Sequence, residues 1–137
     1  MKATGSLALD SSIIVRHMRT ADADIASRLK EAAELYVPLT AFGEILYGIK
    51  RSGNDARAVQ QWALFSQNVV ILKPDEATAD AYAAIKLHLK AKGKPIPDND
   101  MWVAATAKSY DLPLYCRDDH FDELGDIMTI IQKPKDA

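Results

Sequence analysis

Five short apolar runs, alternating with longer stretches of helical spacing, limit what this chain can fold into. They occupy residues 6–9, 36–39, 69–72, 112–116 and 127–131. Runs this short suit strands rather than helices. The unbroken Val69-Val70-Ile71-Leu72 in particular reads as a strand covered on both faces of a parallel sheet. Parallel neighbours need long crossovers, and the chain supplies them. Residues 21–35 carry Ile25, Leu29, Ala32 and Ala33 at helical spacing, with Asp22 and Asp24 near the start. Residues 41–51 carry the stripe Phe42, Ile45, Leu46 and Ile49, with Thr40 as the expected N-cap. Residues 55–67 offer Val59, Trp62, Ala63 and Phe65 for burial. Pro74-Asp75 opens a helix to about residue 91, with Tyr82, Ile85 and Leu89 at core spacing. Another begins after Pro97. The alternation predicts one α/β domain: a three-layer sandwich with a central parallel sheet of about five strands flanked by helices.

At 137 residues the chain is read as a single domain over 1–137, with a loose tail from 132 to 137. With 26% charged and 48% hydrophobic residues it reads as soluble and globular. A net charge of -2 provides no overall basic field for nucleic acid, so any such contact must be a local patch. The single cysteine, Cys116, leaves no internal disulfide and suits a reducing compartment. No apolar run has the length of a signal core or a membrane span, and a cytoplasmic location is expected.

The chemistry lies in what the apolar segments end on. The first run stops at Asp10-Ser11-Ser12, and the fourth at Arg117-Asp118-Asp119-His120. Sites of α/β folds form beyond the carboxyl ends of strands. An N-cap role for Asp10 is the ordinary alternative. The stretch Pro95-Ile96-Pro97-Asp98-Asn99-Asp100 puts two acids in the first turn of a helix whose continuation, Met101-Trp102-Val103-Ala104-Ala105-Thr106-Ala107, is almost uncharged. One acid suffices as a cap; Asp98 is expected to be it, leaving Asp100 free to face a crevice. Glu44 lies outside its helix's apolar stripe, among Thr40, Ala41 and Gly48, where a ligand can approach; a solvated glutamate is the alternative. Lys86, His88, Lys90, Lys92 and Lys94 precede the acidic loop, either as a solvated face or as phosphate contacts. Asp10, Glu44, Asp100 and Asp118 in one crevice would repel one another unless a cation neutralised them. Oxygen-only ligands, with no histidine or thiol cluster, point to a hard divalent ion such as Mg²⁺ or Mn²⁺, and such a site suits phosphodiester hydrolysis.

These segments resemble a known family. Leu7-Ala8-Leu9-Asp10-Ser11-Ser12, Pro38-Leu39-Thr40-Ala41-Phe42-Gly43-Glu44-Ile45-Leu46-Tyr47-Gly48-Ile49, Asp100-Met101-Trp102-Val103-Ala104-Ala105 and Leu114-Tyr115-Cys116-Arg117-Asp118-Asp119-His120-Phe121 stand in the order found in PIN-domain ribonucleases of the VapC toxin type. The resemblance implies a PIN-like fold and a Mg²⁺-dependent endoribonuclease, with Mn²⁺ as substitute. It also implies a homodimer silenced by a VapB-type antitoxin that binds operator DNA. It assigns catalysis to Asp10, Glu44, Asp100 and Asp118, and the metal to Asp10, Asp100 and Asp118, with Glu44 acting through water. The resemblance adds Ser12 as a supporting hydroxyl; from the residues themselves, Asp98 and Asp119 are expected to support the site, and Lys90, Lys92, Lys94 and Arg117 are candidate RNA contacts. Cys116 departs from the threonine common there, which removes a hydroxyl from this strand end. Competing readings are a non-catalytic module of the same fold and a metal-dependent nuclease acting on DNA. A phosphatase with a strand-end aspartate nucleophile would need a second aspartate where Ser12 stands. No base-reading pattern names the RNA.

Overall fold

The apolar runs pair as a five-stranded parallel sheet in the order β3-β2-β1-β4-β5. The computed structural model describes residues 5–134. Along the chain come β1 (Leu7–Leu9), α1 (Ser11–Arg19), α2 (Ala23–Glu31), β2 (Leu35–Pro38), α3 (Leu39–Arg51), α4 (Ala56–Phe65) and β3 (Val69–Leu72). Then follow α5 (Glu76–Lys92), α6 (Asp98–Ser109), β4 (Leu114–Cys116) and β5 (Ile130–Gln132), with 3-10 turns at Ser66–Asn68 and Asp119–Leu124. The middle strand β1 is buried along its whole length, and Ala8 is paired with Tyr36 on one side and Leu114 on the other. From β1 the chain winds outward to β3, then returns to lay β4 against the other side of β1. The two windings part between β1 and β4, a switch point where α/β folds open a crevice at the strand ends.

Helices cover the sheet because their apolar sides match it. Ile13, Ile14, Ile25, Val37, Ile85, Leu89, Val103, Leu114, Phe121 and Leu124 are among the best-buried members of a single apolar cluster. Helix α6 is apolar nearly all round and is correspondingly enclosed, with Met101, Val103, Ala104, Ala105, Thr106 and Ala107 all buried. It packs on α5 partly through the Trp102 and Tyr82 rings, stacked with centroids 4.0 Å apart and planes 11° from parallel. Among the described residues, no helix is long and apolar enough to cross a membrane.

Several expected boundaries move, each for a physical reason. Helix α2 ends at Glu31, because Leu35 is drawn into the sheet by pairing with Leu7 and Val69. Helix α3 starts at Leu39 with Pro38 as its uncapped N-cap; Thr40 is therefore inside the first turn and is not the cap. Strand β3 lies at the sheet edge, so Val70 is 48% exposed and the run is not covered on both faces. Val59 faces out, and α4 is held instead by Trp62, stacked on Phe42 at 5.4 Å. Helix α6 begins at Asp98 after Pro97, which caps it without a side chain. Asp98 is thus not the N-cap; its carboxylate accepts from the Tyr82 hydroxyl. Gln132 closes β5 rather than opening a loose tail, and its amide donates to the Asp118 carbonyl at 2.8 Å and to Asp122 at 2.9 Å. Lys133 follows, its backbone N–H donating to the Cys116 carbonyl at 2.8 Å. Residues 135–137 of the expected tail lie outside the described residues.

Candidate active site

Where β1 ends, Asp10 turns the chain into α1 and divides its two carboxylate oxygens between two tasks. Oδ2 caps the helix, accepting from the Ser12 N–H at 3.1 Å and the Ser12 hydroxyl at 2.5 Å. Oδ1 is buried with no hydrogen-bond partner. Cap and site are therefore not alternatives at this residue. The Ser12 hydroxyl also accepts from the Arg117 N–H at 2.9 Å, which ties the end of β1 to the end of β4. Asp10 is only 3% exposed. Burial pushes its carboxyl up to about 6, against the hydrogen bonds from Ser12, while the charges of Glu44 and Asp118 add to the rise.

Three further acids reach the same crevice from three elements. Glu44, half-buried in the second turn of α3, is held at both oxygens, by the Ser11 hydroxyl at 3.1 Å and by the Asn99 amide. It is not a freely solvated side chain. Burial raises its pKa, Ser11 and Asn99 oppose the rise, and Asp100 and Asp118 reinforce it. Asp100, third residue of α6 and 7% exposed, has its pKa raised chiefly by burial. The hydrogen bond with His120 works against that shift, while the charges of Asp10 and Asp118 add to it. Asp118 follows β4 and caps the 3-10 turn, accepting from the His120 N–H at 3.0 Å.

The structure adds residues that the sequence reading missed. His120 Nδ1 lies 2.9 Å from Asp100 Oδ2 and 3.1 Å from Asp118 Oδ1. The donor atoms of Asp100, Asp118 and His120 all lie within 4.8 Å of one another. A ring nitrogen therefore lies among the expected oxygen ligands. Its only sequence signal was the Asp118-Asp119-His120 spacing at a strand end, which acquires meaning once a tight turn folds the ring back. Ser11 and Asn99, which hold Glu44, were signalled only by adjacency to Asp10 and Asp100.

Other expected participants fare differently. Asp98 points to α5 through Tyr82. Asp119 is exposed and has no side-chain partner among the described residues. Lys92 is committed to the Glu123 carbonyl at 2.8 Å and to the Glu123 and Asp126 carboxylates at 3.3 and 3.7 Å, which corrects its reading as a free phosphate contact. Lys90 lines an apolar groove with Lys86, Leu89, Ile96 and Met101, and Lys94 is exposed just past α5. Arg117 carries a buried Nε without a partner. Burial pushes the Cys116 thiol up to about 12, so it is a neutral, enclosed group beneath the site.

The donor set fits a divalent cation. A buried carboxylate oxygen without a partner costs free energy that a cation would relieve, and Asp10, Glu44, Asp100 and Asp118 place several negative charges around it. A set dominated by carboxylates suits Mg²⁺ or Mn²⁺ better than softer ions.

Comparison with known proteins gives a consistent result. The PIN domain matches residues 7–127. The chain is 29% identical over 104 residues to the ribonuclease VapC1 of Haemophilus influenzae strain R2866, covering 74% of this chain and 78% of the relative. Among solved structures, VapBC-1 from nontypeable Haemophilus influenzae is similar with a TM-score of 0.81 and 25% identity, over 93% of this chain and 97% of that one. VapBC2 from Rickettsia felis, bound to a DNA fragment from its promoter, has the same fold with a TM-score of 0.83 at 17% identity, over 96% and 99% of the two chains.

Proposed function

The chain belongs to the PIN domain family, and from that premise we propose that it is a metal-dependent endoribonuclease, the toxin of a VapBC-type pair. The observation that carries the reading is the Asp10 carboxylate, buried, with one oxygen unpartnered among three other acids. The names of the similar proteins favour RNA as substrate and a VapB-type antitoxin as partner. Asp10, Asp100 and Asp118 would hold Mg²⁺, or Mn²⁺ in its place, with Glu44 reaching it through water. When bound, such a cation makes water a stronger nucleophile and offsets charge on the leaving oxygen. The chain's own groups prepare the site. Ser12 fixes Asp10 and joins the two strand ends. Ser11 and Asn99 hold Glu44 in one rotamer, and its raised pKa suits it to accept a proton from the attacking water. Arg117, at the β4 end, is the basic residue nearest in sequence to Asp118 and can approach a phosphate. A homodimer in the cytoplasm completes the reading. An antitoxin segment could silence it by placing an arginine or lysine among the carboxylates.

Expression alone and with the small reading frame next to its gene tests this. The chain alone should arrest growth and produce new RNA ends. Co-expression should relieve both effects, and Asp118→Asn should produce neither. Harmless expression of folded protein with no new RNA ends would contradict the toxin reading.

A further inference from the structure

We infer that His120 supplies a nitrogen donor to the cation held by Asp100 and Asp118, making the centre a mixed nitrogen–oxygen site that takes Mn²⁺ ahead of Mg²⁺. The inference rests on the metal-dependent reading above and extends it to which ion the site prefers. Nδ1 lies 2.9 Å from one carboxylate oxygen and 3.1 Å from another on a different element. A ring nitrogen carries at most one proton, so it cannot serve both acceptors fully. A cation in the proton's place can be shared by all three. Adjacent ligands of an octahedral ion bound at about 2.1 Å are spaced about 3 Å apart, which the observed separations match.

The ring is also held for this task. The His120 backbone N–H donates to Asp118 Oδ1 at 3.0 Å. The 3-10 turn that carries it is anchored by the fully buried Phe121 and Leu124. Removing the ring from the site would require a side-chain rotation, since the backbone is fixed. The buried, unpartnered Asp10 Oδ1 independently indicates that the crevice awaits a positive group. Replacing an oxygen ligand by imidazole costs a first-row ion such as Mn²⁺ less than it costs the harder Mg²⁺, so the nitrogen biases the choice between these two.

Mn²⁺ alone, titrated into the purified full chain labelled with ¹⁵N-histidine, provides the test. Pulsed electron paramagnetic resonance should detect histidine nitrogen coupled to the bound ion in the wild type and not in His120→Gln or His120→Asn. Mn²⁺ affinity should drop at least about tenfold in both variants, a loss typical even of a metal's outer partners. Mg²⁺ affinity should change much less. The ring is about half exposed, with 49% side-chain exposure, so both variants should melt close to the wild type. Mn²⁺ binding that Asp100→Asn abolishes but that shows no nitrogen coupling would overturn the inference and leave the metal-dependent nuclease standing. Coupling that persists in His120→Gln would also overturn it, by tracing the nitrogen to His17 or His88. No Mn²⁺ bound by the wild type would remove both.

Discussion

Asp10 caps α1 with one carboxylate oxygen and leaves the other buried without a partner. Its carboxyl is raised from the ordinary 3.8 to about 6 in the folded protein. Between those values the folded state holds more protons than the unfolded one, so without divalent ions stability falls as pH rises through that window. Asp10→Asn keeps an oxygen for the Ser12 cap and turns an amide toward the neighbouring acids. In EDTA at pH 7.5 it should be more stable than the wild type by on the order of 1–3 kcal/mol, with the gain fading toward pH 4. A lower melting temperature at pH 7.5 would contradict this. Asp10, Asp100 and Asp118 stood out in the sequence because each ends an apolar segment or begins a helix, and Glu44 because it falls outside its helix's apolar stripe. His120 was not, since a histidine two residues past an acid in a loop looks solvated until the turn folds. Asp98 was misassigned for the opposite reason: a strong capping residue stood beside Pro97, whose extended backbone already started the helix.

At the scale of elements, local signals worked where the chain caps itself and failed where the sheet decided. Asp75 and Thr78 form a reciprocal capping box at the start of α5, as Pro74-Asp75 suggested. The Thr78 hydroxyl also lies 3.1 Å from that of Ser109 at the end of α6. Asp75→Ala should therefore cost about 1–2 kcal/mol in chemical denaturation. RNA cleavage should be unaffected, because this end of α5 lies against Ser109, at the opposite end of α6 from Asp100. A loss of cleavage in a folded variant would tie α5 to the site unexpectedly. Helix α3 defeated the capping rule, since β2 stays paired up to Pro38, opposite Leu72, and leaves Thr40 no room to act as cap. Leu35 likewise follows its partners Leu7 and Val69 rather than the helical spacing before it.

For the whole molecule, the alternation of strands and helices was enough to read a parallel sheet, but strand order is a non-local property that no single segment encodes. The adjacency of β1 and β4 brings Asp10 and Asp118 to one edge, and α6 and α3 then add Asp100 and Glu44. Edge exposure of β3 was equally hidden, because Val70 looks as apolar as the better-covered Val69, Ile71 and Leu72. If the assembled acids hold a cation, Mg²⁺ should raise the melting temperature of the wild type in proportion to the logarithm of its concentration above Kd, and should leave Asp10→Asn unmoved. Equal shifts in both would place the ion elsewhere. Whether the acid cluster is a metal-dependent nuclease centre is decided by RNA cleavage against Mg²⁺ concentration with purified wild type, Asp100→Asn and Asp98→Asn. Wild type and Asp98→Asn should cleave in a metal-dependent way that EDTA abolishes, and folded Asp100→Asn should not cleave. Cleavage that survives EDTA, or persists in Asp100→Asn while Asp98→Asn is inactive, would contradict that reading.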